Sequence, residues 1–193
     1  MRRRLARGAL RLRGWRLHGD LPDLPKYLIL LAPHTCYWDW PPGMLAAAGL
    51  GVRASWLGTE RIFRPPVAGL LRRLGGIPVR RDRREGIVGQ VVAAFAATAS
   101  LVIGLTPEGS RYRTPYWKSG FCHMALGAGV PVVPASIDRS RRRIAVGSPL
   151  VVSGEAGRDM EALRTFYAGT GGIHPERVGP VRLREEDALP EED

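Results

Sequence analysis

Residues 27–39 read YLILLAPHTCYWD, an unalternating apolar run, Tyr27 to Leu31, that ends in a proline and a loop holding a histidine and an aspartate. A run that does not alternate suits a strand covered on both faces, as in parallel sheets. Similar runs recur at Arg53 to Leu57, Gly76 to Val79, Leu101 to Leu105, Val130 to Ser136 and Ile144 to Val152. Segments of helical character lie between them, at Pro41 to Leu50, Pro65 to Leu74, Glu85 to Ala99 and Ser119 to Ala128. Strands alternating with helices predict one α/β domain, with a mostly parallel or mixed central sheet flanked by helices.

The chain's 193 residues and 21.1 kDa suit a single domain with a sizeable core. Its 45% hydrophobic content excludes wholesale disorder. The net charge of +11 and pI near 10.9 call for an anionic partner. Residues 185–193 (EEDALPEED) hold −6, which leaves +17 on the rest. They read as a disordered acidic tail. Residues 1–26 read as a basic arm or surface helix, with a helix packed on the domain as the alternative for the first 18, and 27–184 as the folded domain. Of the 29 basic residues all but Lys26 and Lys118 are arginine, whose planar fork binds phosphate bidentately.

Cys36 and Cys122 give neither a zinc site nor a disulfide framework, which fits a reducing cytosol. No secretory signal follows the basic start. Neither Tyr27 to Pro33 nor Val91 to Leu105 reads as a membrane span. No zinc-ligand spacing or aromatic-rich RNA-binding strand points to nucleic acid.

Ligands in parallel α/β folds sit beyond the carboxyl ends of the strands, so the loops after the predicted strands carry the chemistry. The first holds His34 and Asp39. On a straight helix five residues separate side chains by about 140°, so the two meet only if His34 sits in the turn before the helix. There the carboxylate can orient the ring and leave its other nitrogen as a base. A capping or core histidine is the structural alternative. The second loop, from Arg80 to Arg84, delivers a basic cluster suited to phosphate, or else a solvated turn. The third, Thr106 to Arg111, is a tight turn in which Gly109 permits close backbone approach. Glu108 and Arg111 there can face a common ligand or pair with each other.

The order of these blocks resembles the PlsC-type glycerolipid acyltransferases, the 1-acylglycerol-3-phosphate acyltransferase family. The matching blocks are PHTCYWD at 33–39 (the His-x4-Asp, or HX4D, block), GIPVRR at 76–81, PEGSR at 107–111 and VPVVP at 130–134. GTERIFRPP at 58–66 and WKSGFCHMALGAG at 117–129 are also similar, so the likeness covers residues 27–137. It implies a glycerolipid acyltransferase-like fold. It also implies that His34, oriented by Asp39, deprotonates an acceptor hydroxyl that attacks the thioester of acyl-CoA or acyl carrier protein. No metal or other cofactor is implied. Arg81 matches a phosphate-binding arginine, with Arg80 beside it, and Glu108, Gly109, Ser110 and Arg111 match the acceptor loop. The implied partners are a phosphate-bearing lipid acceptor and an anionic membrane surface, at the inner, cytoplasmic face of the cell membrane, with peripheral attachment.

Two departures stand out. Thr59 occupies a position where many relatives have lysine, and Arg80 one where many have aspartate. His123 and His174 read as structural, and Cys36 is left out of the mechanism because direct attack by the acceptor needs no covalent intermediate. The competing functions are an acyl thioesterase, with water as acceptor, and a membrane-surface scaffold that has lost activity.

Overall fold

The computed structural model describes residues 2–36, 38 and 40–187, with the side chains of Arg2 and Trp40 outside that description. Seven strands form one sheet: β1 (Arg16–His18), β2 (Lys26–Leu31), β3 (Ser55–Thr59), β4 (Gly76–Val79), β5 (Leu101–Leu105), β6 (Val132–Asp138) and β7 (Arg143–Val146). Their order is β1-β7-β6-β2-β5-β3-β4. Strands β2 to β6 all run parallel, whereas β7 turns back antiparallel on β6 and β1 follows β7. The α/β class and the mixed sheet agree with the sequence pattern.

Helices α4 (Gly86–Ala96), α5 (Gly120–Ala128) and α6 (Ala156–Tyr167) cover one face of the sheet. Leu28, Leu30, Ile103 and Val132 from the strands meet Val91, Phe95, Phe121, Met160 and Leu163 from these helices. Each such side chain removed from water contributes about 1.5–3 kcal/mol. The opposite face is covered by α1 (Arg2–Leu12) and α2 (Trp40–Leu50), where Leu10 and Ala46 pack with Ile137 and Ile144. Burial on both faces explains why the central strands do not alternate; every residue of β6 is buried.

Two boundaries differ from the sequence reading, at the end of β7 and in the acidic tail, and strand β1 has no counterpart in it. Of the readings open for the first residues, the structure has a helix packed on the domain. Ala6 and Leu10 of α1 are buried. Arg3 and Arg7 donate to the carbonyls of Leu50 and Gly49 at 2.5 and 2.9 Å, capping the electronegative end of α2. Strand β1 then joins the sheet edge.

The run expected as one strand from Ile144 to Val152 stops at Val146. Pro149 has no N–H to offer a ladder, and at Gly147 the backbone packs so closely that a Cβ would lie 2.7 Å from Phe166 and Pro134. The Gly147 N–H still donates to the Pro134 carbonyl at 2.8 Å, and past Pro149 the pairing returns as the mutual bonds between Val132 and Leu150, at 2.8 and 2.7 Å.

The acidic tail, expected to be disordered from 185, begins as a short 3-10 turn at Arg184–Asp187. Glu186 is held there by Arg164 at 2.6 Å and by the Leu183 N–H, and Asp187 by Arg182 and the Tyr116 hydroxyl. Residues 188–193 lie outside the described residues. Among those described, no helix is long and apolar enough to cross a membrane.

Candidate functional site

Because β2, β5, β3 and β4 are parallel neighbours, the loops at their carboxyl ends open along one sheet edge. At about 4.8 Å per strand, the loop after β2 and the loop after β4 stand roughly 14 Å apart at the backbone, with the loop after β5 beside the first. All three sequence-selected loops therefore share an edge.

The loops after β2 and β5 are joined directly. The backbone N–H of His34 donates to Oε2 of Glu108 at 2.9 Å. Glu108 is only 6% exposed, and a carboxylate in that setting is stabilised by donors it can hold. This assigns Glu108 a role that the spacing does not reveal: it fixes the main chain carrying the candidate base. His34 is partly buried, with Nδ1 shielded from solvent. Asp39 and Tyr37 lie outside the described residues, and the pairing of His34 with Asp39 lies there too.

Behind Glu108 stands Tyr167 from α6. Its hydroxyl donates to the Leu30 carbonyl of β2, and its ring meets Trp117 edge-on at 5.3 Å. Burial above all, with the negative charge of Glu108 adding to it, pushes the Tyr167 hydroxyl well above its ordinary pKa. The phenol thus stays neutral and serves as a strut between the core and the site.

A second support comes from the C-terminal segment. Thr35 is 1% exposed, and its hydroxyl accepts from the N–H groups of Ile173 and His174 at 3.2 and 3.1 Å. Arg177 adds a bond to the Thr35 carbonyl at 3.4 Å. Gly172, at φ +64, lets this turn approach; a Cβ there would lie 3.1 Å from Thr35 Oγ1. The sequence signal was the turn GGIHP at 171–175, which gives no hint of its partner. His174 itself contacts Glu176 at 3.2 Å, in keeping with its structural reading.

In the loop after β5, the Gly109 N–H donates to the Thr106 carbonyl at 3.2 Å with φ +60, and Ser110 accepts from the Tyr112 N–H at 3.1 Å. Lys118 lies across Gly109, so close that a Cβ would be 2.7 Å from its Cε. Arg111 is half-buried on the same loop.

The loop after β4 divides its two leading arginines. Arg80 binds Asp82 at 2.9 Å and reaches Glu60 at 3.5 Å, and its hydrogen bond and charge hold the Asp82 carboxyl below the usual range. Gln90 of α4 clamps the Arg80 backbone on both sides, at 3.0 and 2.6 Å. Arg81 is exposed, with no acidic partner among the described residues. Of the pair, Arg81 is the cation left for a ligand. Thr59 ends β3 in register with Val79, one residue before Arg80.

Among the described residues no group of three His, Cys, Asp or Glu side chains could hold a metal ion. Cys36 and Cys122 form no disulfide, and burial pushes the Cys122 thiol up to about 12.

The sheet is similar to that of a solved structure, the 1-acyl-sn-glycerophosphate acyltransferase PlsC from Thermotoga maritima. The TM-score is 0.53 and the identity 17%, over 85% of this chain and 72% of that one. A search among curated proteins gave no match. The model of the Acyltransferase family, however, matches residues 18–138, a span that takes in β2 to β6 and all three loops of the edge, and by that match the chain belongs to the Acyltransferase family.

Proposed function

We propose that the protein moves a fatty acyl group from acyl-CoA or acyl carrier protein to a hydroxyl of a phosphate-bearing lipid such as 1-acylglycerol 3-phosphate. The observation that carries this reading is the bond from the His34 backbone to buried Glu108, which unites the first and third blocks at one sheet edge. His34 takes the acceptor's proton as its oxygen attacks the thioester carbonyl; the tetrahedral adduct collapses, and the sulfur leaves as thiol with that proton. Asp39 would orient the imidazole. Arg81 would anchor the acceptor's phosphate, with Arg80 adding field from its place between Glu60 and Asp82. Gly109, Ser110 and Arg111 would shape the acceptor side. The enzyme would act from the cytoplasmic face of an anionic membrane, attached peripherally, and needs no resident cofactor.

The test is His34→Ala. The loss of a general base lowers transfer by about 10²–10⁴-fold, and the thermal midpoint should stay near that of the unaltered protein. Turnover within about tenfold of the unaltered enzyme would remove His34 as the base.

A further inference from the structure

The crossover from β3 to β4 is an unusual stretch of surface. From Arg61 to Arg81 the sequence contains six arginines and no acidic residue. Before the chain enters β4, Phe63 fixes the crossover to the sheet: it is buried, stacks on Trp56 at 5.9 Å and lies over Gly58 and Gly76, and the Trp56 indole N–H donates to the Leu74 carbonyl at 3.0 Å. Several of its other side chains face outward. Ile62, Val67 and Leu70 are 44%, 47% and 59% exposed, and Arg61 and Arg64 stand exposed among them with no acidic partner among the described residues. Glu60, the nearest acid in the chain, is drawn to Arg80.

We infer that this crossover is the surface by which the protein docks on an anionic phospholipid bilayer. The inference rests on the proposed lipid acceptor and adds where the membrane lies. Apolar side chains rimmed by unneutralised arginines match a lipid interface, where head-group charge attracts the cations and the acyl boundary takes the apolar groups. The crossover leaves β3 at the edge that carries the candidate site, so a docked bilayer would lie beside the loops that receive the acceptor. Trp38, 69% exposed on the loop after β2, presents an interfacial aromatic at the same edge.

Helix α1 is the obvious competitor, because it carries arginines along with Leu5 and Leu12, both exposed. Yet Arg3 and Arg7 are committed to the end of α2, and Arg7 also to Asp20 at 3.0 Å. Its apolar side is turned inward, with Ala6 and Leu10 buried and Leu10 packed with Ala46 of α2 and Ile137 and Ile144 of the sheet. Arg61 and Arg64 have no such commitments among the described residues; Arg4 and Arg11 of α1 are exposed as well, so the experiment varies both pairs.

The experiment is co-sedimentation of the full chain with phosphatidylglycerol–phosphatidylcholine vesicles and with phosphatidylcholine vesicles, without acyl donor. Binding is expected to need the anionic lipid. The double variant Arg61→Gln/Arg64→Gln should weaken it roughly 25-fold, about fivefold per arginine. Ile62→Ser/Val67→Ser/Leu70→Ser should also weaken it, and Arg4→Gln/Arg11→Gln on α1 should leave it close to that of the unaltered protein. Equal binding to both vesicles, unchanged binding by both crossover variants, or a greater loss from the α1 variant would overturn the inference. Since the readout involves no turnover, failure here is distinct from failure of the acyl-transfer reading, which the His34 variant tests alone.

Discussion

The two halves of the sheet put some of their arginines to opposite ends. On the β6-β7-β1 side, Arg3, Arg7 and Arg141 are fastened to the protein, while Arg4, Arg11, Arg139 and Arg143 stay exposed. Arg3 and Arg7 cap α2, and Arg141 binds Asp138 at 3.0 Å and the Gly169 carbonyl at 2.5 Å. On the β2-β5-β3-β4 side, Arg61, Arg64 and Arg81 reach solvent with no acid to meet them among the described residues. A net charge of +11 says little about which arginines are available; the position of carbonyl ends and carboxylates decides it. The parallel half aims its strand ends at a ligand, and the half containing the reversed strands braces the frame.

If that division holds, damage to the two halves should separate activity from stability. The largest effect is expected from Glu108→Ala. It deprives the His34 backbone of its acceptor and lets the loop drift, which should lower turnover about 100-fold, since misplacement of about 1 Å costs that much. Glu108→Gln keeps an oxygen for the bond and should recover most of the rate; steady-state kinetics on both variants checks this.

Asp138 sharpens the contrast from the other half. Burial pushes its pKa up, but hydrogen bonds from Ser140 and from the Arg141 backbone and side chain outweigh that and hold it below the usual carboxylate value. A lowered folded-state pKa gives stability that is present above the unfolded value and lost as pH falls through the folded one. Asp138→Asn should therefore cost about 1–3 kcal/mol in denaturant unfolding near neutral pH. The difference should shrink at acid pH, with turnover of the folded enzyme unchanged. A matching loss of turnover would blur the division between the halves.

A smaller effect is expected from Gly109→Ala. A Cβ at φ +60 costs about 1–2 kcal/mol, and the end of Lys118 must swing aside. The melting point should fall modestly. The smallest expected effect is chemical: iodoacetamide should label the partly exposed Cys36 in the native protein and spare Cys122, which is buried with its thiol pushed up to about 12. Peptide mass mapping reads the ratio.

Much of the half that carries the candidate site was legible in the chain. Runs such as Tyr27 to Leu31 and Leu101 to Leu105 mark strands because both faces are buried, and the loops follow where those runs stop. The bracing half was not. Strand β1 is three residues long and largely exposed, and it exists only because β7 reverses. Helix α6 was readable in principle from Met160, Leu163 and Tyr167, which recur at helical spacing and are all buried. No local pattern, however, could show that Tyr167 bonds the Leu30 carbonyl, that Thr35 binds the turn at 171–175, or that Glu108 holds the His34 backbone. Such contacts span 74 to 139 residues of chain and emerge only when the sheet assembles.

The claim on which the rest depends is that a thioester-bound acyl group ends up on a lipid hydroxyl. The most direct test incubates the purified full chain with labelled acyl-CoA and a lipid extract, then identifies the labelled product by mass spectrometry. The expected result is an acylated phosphate-bearing lipid that appears only when acceptor is present. Labelled free fatty acid released at the same rate with or without acceptor would contradict it.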